Sequence, residues 1–438
     1  MNLARISPRE LGEYLVGEGL RRFWLRGDAS APGGVAASHA AVEPLADLLR
    51  ADERDFDGHE GVFVEVAPDT GTLLGAFVHR TCRGQGAGGT RFWSYDHVED
   101  FLRDGLRLAR GMTHKNALAG LWWGGGKGVM ARGSGADDSD PAVRRRIYEE
   151  YGELVSSLRG CYVTAEDVGT TVDDMAAIFS KTRFTTCIPE SLGGSGNPSA
   201  PTALGVVRGM EAALAHTDRG TLEGKTVAVE GLGNVGEPLI GYLHERGVGR
   251  VVGLDIDAAR AERISRRFPD LELDARIVER GDDSIFAEPA DILSLNATGA
   301  RLSEATISRI AAPIVCGAAN NQLADPERDD ARLQERGILY LPDFLVNRMG
   351  IVHCADEQNG RVDDDPEFAR HLGDEWENSV FHLSRRVLRE ADDTGRTPHR
   401  IAIEIAERRS HEIHPLAGHR GLTIIRGLVD RGWASNPA

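Results

Sequence analysis

The feature of this sequence that most constrains its fold is an alternation of short apolar runs with amphipathic segments, which begins near Ala203. The apolar runs include KTVAVE, VVGLDI, DILSLN, PIVCGAA and ILYLPD, and the segments between them have helical spacing. Strands that alternate with helices predict a parallel sheet with right-handed crossover connections and helices on both of its faces. We therefore predict a doubly wound α/β domain over residues 201–352.

A glycine-rich turn directly follows the first predicted strand. The strand ends at Glu230, and GLGNVG comes next, ahead of helix-forming residues, so the GxGxxG pattern has the context that it requires. The first glycine makes a tight turn, the second lets a pyrophosphate approach the helix N-terminus, and the third lets the helix pack closely. We assign these residues to a dinucleotide site: Gly231, Gly233, Asn234, Val235 and Gly236.

Asp255 ends the next predicted strand, 19 residues after Gly236. A carboxylate at this place accepts hydrogen bonds from both ribose hydroxyls and repels a 2′-phosphate, which favours NAD over NADP. Asp255 could instead cap the following helix, but Asp257 is better placed for that, so we favour Asp255 as the ribose ligand. The guanidinium of Arg260 would weaken the preference for NAD.

Length and charge exclude several classes of protein. A chain of 438 residues exceeds one ordinary core, so two domains are expected. The net charge of −17 argues against nucleic acid and against an anionic membrane surface as partners. No secretory signal and no apolar run of membrane-spanning length is evident. The five cysteines are scattered without a CxxC spacing, which indicates reduced thiols in a cytoplasmic protein and no zinc or other metal site.

The part of the chain before residue 201 is predicted to form a separate domain. Residues 1–60 contain no motif and are interpreted as an N-terminal extension. The runs GVFVEV and LLGAFV, joined by a Pro-Asp-Thr-Gly turn, predict a hairpin from Gly61. Helical spacing follows over His97–Arg110, and a further helix begins at Pro141.

The segment GMTHKNALAGLWWGGGKGVM places Lys115 and Lys127 twelve residues apart, the second after three glycines. A lysine that is stripped of water and crowded by another cation has its pKa lowered toward neutrality, where it can act as a base. The other lysine can remain charged and hold a substrate carboxylate, which suggests chemistry on an amino or oxo acid. In isolation, the pair would be explained by a solvated helix face at Lys115 and a tight turn at Lys127.

Three further segments carry features of a ligand site. TAEDVGTTVDDM contains Asp167 in a turn-like setting, and GGSGNPSAPTALG has the small residues of a domain hinge that continues into a helix. CGAANNQL places Asn320 and Asn321 after a strand of the predicted parallel sheet. Loops at such strand ends are where ligands bind in open α/β sheets.

These motifs, in this order, resemble the glutamate/leucine/phenylalanine/valine dehydrogenase family, and most of all its leucine and phenylalanine branch. The resemblance runs from about Gly61 to about Glu357, through GGTR, MTHKNALAG, GGGKG, TAEDVGTT, GNPSAPTALG, GLGNVG, ANNQL and PDFLVN. It implies an NAD(P)-dependent oxidative deamination of an L-amino acid to a 2-oxo acid and ammonia. It also implies a homo-oligomer. For the architecture, we expect a cleft between two domains and C-terminal helices over 353–438 that return to the substrate-binding domain, 61–200.

The resemblance assigns roles to individual positions. Lys115 is similar to the lysine that pairs with the substrate α-carboxylate, which Gly88 and Gly89 approach through their backbone. Lys127 is similar to the low-pKa lysine that activates water against the imine intermediate, and Asp167 to the aspartate that exchanges protons with the amino group. Further positions match family contacts with the cofactor or the substrate amine: Asn320, Asn347 and Thr202.

The side-chain pocket departs from the family pattern. Ala87 stands where branched-chain enzymes have a leucine, which implies space for a larger, aromatic substrate. Each methylene that fills such space contributes about 0.8 kcal/mol. No lysine stands near Gly88 to receive a side-chain carboxylate, so glutamate is disfavoured as a substrate. The other residues assigned to the pocket are Ala165, Ile351 and Cys354.

Two departures lie near the expected cofactor. Arg348 and Met349 replace residues that are commonly small in the family. Either they reshape the nicotinamide pocket, with Arg348 suiting a substrate that has an extra acidic group, or both side chains turn outward. Asn296 stands where the family tends to have a cysteine, and it could alter contacts with the cofactor ribose.

The leading interpretation is an NAD-dependent dehydrogenase that acts on an apolar or aromatic L-amino acid. An amine dehydrogenase is the nearest alternative, but it would have no substrate carboxylate for Lys115 to hold. A catalytically silent, NAD-binding sensor or scaffold is an alternative of a different class. Such a protein would have little need for Lys115, Lys127 and Asp167 together.

Overall fold

The computed structural model describes residues 2–360, 362 and 364–435, and the chain divides into two compact units. The first unit contains the described residues of 1–197, 357–361 and 406–438, and the second those of 198–356 and 362–405. Each unit is built on a β-sheet of its own.

The strands and helices are named here in chain order. The strands are β1 (Arg22–Gly27), β2 (Val35–Ala37), β3 (Gly61–Val66), β4 (Leu73–Arg80), β5 (Gly86–Ala87), β6 (Thr90–Trp93), β7 (Gly124–Ala131), β8 (Tyr162–Val163), β9 (Thr226–Glu230), β10 (Arg250–Asp255), β11 (Glu272–Ile277), β12 (Ile292–Leu295), β13 (Ile314–Val315) and β14 (Leu339–Tyr340). The helices are α1 (Pro8–Gly17), α2 (Glu43–Arg50), α3 (Val98–Ala119), α4 (Pro141–Ser157), α5 (Val172–Phe179), α6 (Ser199–His216), α7 (Gly236–Glu245), α8 (Ala258–Arg267), α9 (Glu304–Ile307), α10 (Arg328–Glu335), α11 (Asp343–Val346), α12 (Met349–Asn359), α13 (Pro366–Leu372), α14 (Val380–Thr394), α15 (Pro398–Ser410) and α16 (Arg420–Asp430).

The sheet of the first unit is mixed, in the order β2-β1-β3-β4-β7-β5-β8, with β6 paired to β7. Strands β3 and β4 form the predicted hairpin, with Gly61 opposite Val78. On the other side of β7, strands β5 and β6 run parallel to it. The short strand β8 pairs with β5 and leads into the loop that contains Asp167.

Residues before Gly61 are not an extension to this unit but a part of it. Strand β1 pairs antiparallel with β3, and Phe23 stands opposite Val64. The side chains of Phe23 and Leu25 have no exposed surface. Burying these apolar side chains in the core adds two strands to the edge of the sheet, which no local motif announces.

The sheet of the second unit has the order β11-β10-β9-β12-β13-β14, and all of its strand pairs are parallel. This is the strand order of a doubly wound dinucleotide-binding fold. The chain adds β10 and β11 on one side of β9, and then β12 to β14 on the other side, so the order of the strands reverses between β9 and β12. The predicted fold class is thereby confirmed. Most of the residues that the sequence assigns to the coenzyme lie at the carboxyl ends of β9, β10 and β13, and Thr202 lies on α6.

The C-terminal helices differ from the prediction that residues 353–438 all return to the first domain. Residues 362–405 belong to the second unit, where α14 packs against α6. The reason is the apolar face of α14, which is buried through Val380, Leu383 and Val387. The final segment does join the first unit, where the ring of Trp433 packs edge-on against Phe63 at 5.1 Å.

Two global features bear on the sequence analysis. All five cysteines are free thiols, and four of them are buried. Among the residues that the structure describes, no helix is both long enough and apolar enough to cross a lipid bilayer.

Candidate active site

Helix α3 lies directly on strand β7, which places Lys115 and Lys127 on facing elements. A Cβ atom at Gly125 would collide with Thr113 Oγ1 and with Ala109 O of the helix. Only glycine therefore lets the helix approach the strand this closely. The three-glycine run before Lys127 is thus a packing surface within a strand.

Lys127 belongs to β7, opposite Phe77 of β4, so the alternative of a tight turn at this position is wrong. Its side chain is buried, with 4% of the residue exposed, and its Nζ donates a hydrogen bond to a carboxylate oxygen of Asp167. Asp167 lies in the loop after β8, where its N–H donates to Thr170 Oγ1 at 2.9 Å. The structure thus brings together the predicted base and the predicted proton-exchanging aspartate.

The pKa of Lys127 lies well below its usual value. Burial is the largest cause, because it penalises the charged ammonium, and the positive charges of Arg91 and Lys115 act in the same direction. The carboxylate of Asp104 opposes them, and the adjacent Asp167 carboxylate also favours the ammonium. Because burial and the cations prevail, Lys127 loses its proton more readily than an exposed lysine.

An arginine–aspartate pair completes the surroundings of Lys127. Arg91 of β6 donates from Nη1 to both carboxylate oxygens of Asp104, at 3.1 and 3.0 Å. Its Nε lies 4.0 Å from Asp167 Oδ2. Neither residue was predicted from the sequence, although Arg91 is the last residue of the GGTR motif, which is a usable signal. Asp104 has no such signal, because it is one of many charged residues on α3.

Lys115 is half-buried on α3, so a fully solvated helix face does not describe it. Asp104 precedes it by eleven residues, which is three helical turns, and the two residues therefore share a face of the helix. The charge of Lys115 contributes to the lowered pKa of Lys127. Lys115 is thus within electrostatic reach of the Lys127–Asp167 pair.

The predicted glycines and alanines of the first unit line the same region. Ala87 ends β5 and Ala165 follows β8; both are buried, at 1% and 4% exposure, so any space beside them is enclosed. The N–H of Gly88 donates to a carbonyl of β8 at 3.1 Å and is already engaged. A Cβ atom at Gly89 would come within 2.9 Å of the Asp167 side chain, which places this backbone beside the reactive pair.

Glu166, next to Asp167, is a second carboxyl group with an unusual pKa. Burial, together with the negative charge of Asp174, raises the pKa of Glu166 to about 7. Asn197 Nδ2 donates to Glu166 Oε1 at 3.2 Å. Glu166 was not predicted from the sequence, because only its burial distinguishes it from the other carboxylates nearby.

In the second unit, the GLGNVG turn has the geometry that the motif predicts. Gly231 has a φ of +87°, which favours glycine, and a Cβ atom at Gly236 would collide with Gly231 O. Among the described residues, a Cβ atom at Gly233 would meet only the Arg260 guanidinium, at 3.2 Å. The space beside Gly233, at the start of α7, fits a pyrophosphate group.

The two remaining residues of the motif stand at the mouth of the same turn. Asn234 is exposed, and Val235 occupies the N-cap position of α7. The helix that follows is ten residues long. Its free N–H groups and its dipole favour a bound anion at this end.

Asp255 ends β10, as predicted, and only 7% of it is exposed. Its Oδ2 accepts from Leu232 N at 2.7 Å, and its Oδ1 accepts from Asp257 N at 2.9 Å. Asp257, and not Asp255, caps α8 by accepting from Ala259 N and Arg260 N. Arg260 Nη1 lies 3.8 Å from Asp255 Oδ2. The carboxylate therefore orients the glycine turn and has one arginine beside it.

The asparagines assigned to the coenzyme and the substrate amine contact each other. Asn347 Nδ2 donates to Asn320 Oδ1 at 2.8 Å and to Ala318 O at 3.0 Å. Thr202 lies on α6 and donates to Pro198 O at 2.8 Å. The two bonds from Asn347 fix the loop that follows β13, at the carboxyl edge of the parallel sheet.

The positions at which the sequence departs from the family pattern are internal. Arg348 and Met349 are completely buried, so the alternative in which both turn outward is wrong. The Arg348 guanidinium donates to Asn378 O, just before α14. Asn296 ties two strand ends together, because its Oδ1 accepts from Ala318 N at 2.9 Å.

The predicted site residues are therefore divided between the two units. The first unit contains Ala87, Gly88, Gly89, Lys115, Lys127, Ala165 and Asp167. The second contains the dinucleotide turn, Asp255, Asn320, Asn347 and Thr202, together with the two pocket residues of α12, Ile351 and Cys354, which are 6% and 3% exposed. An acid–base centre and a dinucleotide turn, each built within its own unit, are the two parts that an amino-acid oxidation requires.

Known proteins share this organisation. The family model for the dimerisation domain of Glu/Leu/Phe/Val dehydrogenases matches residues 62–184, and the glutamate/leucine/phenylalanine/valine dehydrogenase model matches residues 193–394. The leucine dehydrogenase of Bacillus subtilis (strain 168) is 42% identical over 284 residues, which is 65% of this chain and 74% of the relative. The valine dehydrogenase of Streptomyces coelicolor is 36% identical over 379 residues, which is 86% of this chain and 98% of the relative.

A solved structure is similar over most of its length. The L-tryptophan dehydrogenase from Nostoc punctiforme is 32% identical, with a TM-score of 0.64, over 80% of this chain and 96% of that one. These similarities, and the site described above, make the protein an oxidoreductase of the amino-acid dehydrogenase class. The chain belongs to the glutamate/leucine/phenylalanine/valine dehydrogenase family.

Proposed function

We propose that this protein catalyses the reversible, NAD-dependent oxidative deamination of an apolar or aromatic L-amino acid to its 2-oxo acid and ammonia. The observation that carries the proposal is the buried Lys127, whose pKa is lowered and whose Nζ contacts Asp167. A base and a proton-exchanging acid in contact are what the hydrolysis of an imine requires.

The residues of the first unit have separate roles in the proposed reaction. Lys115 pairs with the substrate α-carboxylate and orients the α-carbon. When bound, NAD supplies the acceptor for the hydride of that carbon, which leaves an iminium ion. Lys127 in its neutral form takes a proton from water while the water oxygen bonds to the iminium carbon. Asp167 takes the proton that the substrate ammonium group loses before hydride transfer, and it returns this proton to the nitrogen of the carbinolamine. The carbinolamine hydroxyl gives its proton to the vacated carboxylate as the carbonyl forms, so that the C–N bond breaks and ammonia leaves.

The dinucleotide turn supports NAD as the coenzyme. The space beside Gly233 and the N-terminus of α7 fit a pyrophosphate, and Asp255 at the end of β10 is the group that would accept the ribose hydroxyls. Its negative charge disfavours a 2′-phosphate. The guanidinium of Arg260, 3.8 Å from Asp255, would moderate the preference.

The substrate class is supported by the small number of lysines in the chain and by their ion pairs. The whole sequence contains four lysines, at 115, 127, 181 and 225. Lys181 pairs with Glu153 within the first unit, and Lys225 pairs with Asp291 within the second. No lysine therefore remains to hold a substrate's side-chain carboxylate. The relatives that are 32–42% identical include leucine, valine and tryptophan dehydrogenases, whose substrates carry no side-chain charge, whereas a similar glutamate dehydrogenase structure is 25% identical.

Two properties of the whole protein belong to the same proposal. The first unit matches a model described as a dimerisation domain, which supports assembly as a homo-oligomer. Five free thiols support a reducing compartment, the cytoplasm.

The test is NADH formation across a panel of L-amino acids, with NADP in parallel. We expect turnover of leucine, valine, phenylalanine or tryptophan with NAD. A preference for glutamate, or for an amine without a carboxylate, would contradict the proposed substrate class. Silence across the panel while NAD still binds would contradict the catalytic proposal and favour a silent, NAD-binding homologue.

A further inference from the structure

Arg91 has a position that the proposed mechanism leaves unexplained. Its Nη1 holds both carboxylate oxygens of Asp104, at 3.1 and 3.0 Å, while its Nε points toward Asp167, 4.0 Å from Oδ2. Among the described residues, that Nε has no hydrogen-bond partner. Arg91 therefore connects a fixed anchor to the aspartate that Lys127 contacts.

The anchor is held firmly. Asp104 is 8% exposed and accepts from Tyr95 Oη at 2.7 Å and from Arg107 Nη2 at 2.9 Å, in addition to Arg91. Burial with three donors leaves the Asp104 carboxylate one arrangement. The guanidinium that it binds is consequently fixed beside Asp167.

The charges around Lys127 show what this arrangement does. Four groups act on the lysine from three elements: Asp167 from the loop after β8, Arg91 from β6, and Asp104 and Lys115 from α3. A carboxylate with Lys127 as its sole partner would hold the lysine as an ammonium ion. A second cation beside the same carboxylate offsets this attraction, and a guanidinium stays charged at every relevant pH.

We propose that Arg91 is a positioning residue of this site: anchored by Asp104, it orients the Asp167 carboxylate and biases Lys127 toward its neutral form. The inference rests on the proposed function, in which neutral Lys127 is the base. Its structural alternative is that Arg91 only joins β6 to α3 through Asp104.

A direct test measures the ionisation of Lys127 without any substrate. Competitive labelling with acetic anhydride, read by mass spectrometry at a series of pH values, reports the fraction of each lysine that is neutral, and four lysines make the assignment simple. In Arg91→Gln we expect the titration of Lys127 to move upward by about one pH unit. An unmoved titration would overturn the proposal.

Two variants separate charge from packing. Arg107→Gln removes another arginine from Asp104, one that is half exposed and absent from the surroundings of Lys127, so the titration should not move. Arg91→Lys keeps a positive charge but loses the forked geometry, so we expect a titration near that of the unchanged protein and a kcat about tenfold lower. If Arg91→Gln does not fold, an Arg91→Lys variant with full kcat overturns the positioning role.

The pH profile of kcat/KM distinguishes this inference from the proposed function. Deamination needs neutral Lys127, so activity is lost as pH falls through its pKa, and Arg91→Gln should move that acid limb upward. A readily deprotonated Lys127 in a protein that oxidises no amino acid would sink the function but not the role of Arg91. If the protein oxidises amino acids but the acid limb does not move in Arg91→Gln, the proposed function stands and the role of Arg91 is contradicted.

A second, independent observation lies elsewhere in the first unit, where Glu60, Cys82 and His419 meet. One possible ligand atom from each lies within 4.8 Å of the others, and this is the one such group of three among the described residues. The residues come from the segment before β3, the segment after β4 and the N-cap of α16. Sequence spacing predicted no zinc site, because its ligands are 22 and 337 residues apart.

The three groups are arranged as a metal site would need them. Glu60 is oriented by Thr81, whose N–H donates to Oε1 at 3.1 Å and whose hydroxyl donates to Oε2. Such support of a carboxylate is usual behind a metal ligand. A tetrahedral zinc ion with bonds of about 2.0–2.3 Å separates its ligand atoms by roughly 3.3–3.8 Å, so His419 Nε2 and Glu60 Oε1, now 3.0 Å apart, would move apart only slightly.

We propose that Glu60, Cys82 and His419 bind a zinc ion whose fourth ligand is water. Carboxylate, thiolate and imidazole are all ligands that zinc accepts, and three of them with an open position form a common set. The ion would connect α16 to the strands β3 and β4. The alternative is a carboxylate–imidazole hydrogen bond with a thiol nearby, which needs no metal.

Cobalt(II) is the probe, because a thiolate–cobalt bond has a near-ultraviolet charge-transfer band that water and nitrogen ligands lack. We expect one equivalent of cobalt to give this band, zinc to displace it, Cys82→Ser to abolish it, and His419→Ala to weaken binding at least about tenfold. His411→Ala is the matched control, since His411 also pairs with a carboxylate at 3.0 Å but lies outside the cluster. Absence of the band, or its survival in Cys82→Ser, would overturn the proposal.

Discussion

At the scale of single residues, the chemistry of this enzyme depends on how one lysine is surrounded. Lys127 has a lowered pKa because it is buried and because Arg91 and Lys115 add positive charge. Asp167 contacts it, so that in the proposed mechanism the proton that leaves water has a base to accept it and a second proton-exchanging group nearby. Removing one member of the pair should therefore stop the reaction and leave the fold intact.

The first prediction concerns Lys127→Ala. We expect the variant to fold and to bind NAD, because the dinucleotide turn belongs to the other unit, while its kcat falls by about 10²- to 10⁴-fold. Steady-state kinetics measures kcat, and the change in protein tryptophan fluorescence on addition of NAD measures coenzyme binding. Turnover comparable to that of the unchanged enzyme would remove Lys127 from the mechanism.

The second prediction concerns coenzyme choice and Asp255→Asn. The single oxygen of an asparagine can still accept from Leu232 N, although the bond from Asp257 N is lost, so the turn should persist while the negative charge that repels a 2′-phosphate is gone. We expect the ratio of kcat/KM for NAD to that for NADP to fall by about tenfold, equivalent to ~1.4 kcal/mol. Asp257→Asn, a change of the same charge at the helix cap, is the control and should alter the ratio less. An unchanged ratio in Asp255→Asn would show that another residue selects the coenzyme.

At the scale of elements, the contact between α3 and β7 determines where the two lysines stand. The helix can lie close to the strand because the glycines of β7 have no side chains on the face that the helix covers. In addition, Asn116 Nδ2 of α3 donates to Gly124 O of β7 at 2.6 Å. The helix also supplies Asp104, which holds Arg91. The position of this one helix thus controls both Lys115, the proposed substrate-binding lysine, and the anchor of Arg91 beside the proposed catalytic pair.

The third prediction compares two glycine-to-alanine changes at this contact. In Gly125→Ala the new methyl group collides with Thr113 and Ala109, so we expect destabilisation of about 1–3 kcal/mol and a lower first transition in differential scanning calorimetry. Gly111→Ala lies on the same helix with no atom within 4 Å of its Cβ, and it should instead stabilise by up to about 1 kcal/mol. Equal effects of the two changes would mean that the helix–strand distance is not critical.

At the scale of the whole molecule, two sheets of different kinds carry different parts of the proposed site. The mixed sheet of the first unit carries the acid–base residues, and the parallel sheet of the second carries the dinucleotide turn. Val362–Ile405 adds α13 and α14 to the second unit, and α14 packs on α6, which bears Thr202. In the proposed function, coenzyme binding is therefore a property of the second unit, and it should be measurable apart from turnover.

The fourth prediction is that NAD stabilises the protein in the absence of substrate. A ligand at about 100 times its Kd adds ~2.7 kcal/mol to the stability of the state that binds it, so the calorimetric transition should rise with NAD and should rise less with NADP. Lys127→Ala should show the same rise, since its substitution leaves the turn untouched. A transition temperature that does not change when NAD is added would contradict the assignment of the glycine turn.

The sequence by itself determined the parts of this protein that depend on local pattern. The strand–helix alternation led to the parallel sheet, the two apolar runs around a turn led to the β3–β4 hairpin, and GLGNVG led to a turn in which Gly231 has a positive φ. Each of these follows from the conformational preferences and the periodicity of a few neighbouring residues. The motifs also led to the family, and with it to Lys115, Lys127 and Asp167.

Only the tertiary structure decided which charges surround those residues and which segments complete each unit. Arg91 and Asp104 meet across β6 and α3, β1 and β2 extend the first sheet, α14 joins the second unit, and Glu60 and Cys82 meet His419 from the far end of the chain. These contacts join residues far apart in sequence, and burial of apolar surface brings them together. The pKa of a lysine depends on such neighbours and on lost solvent, neither of which a local pattern contains.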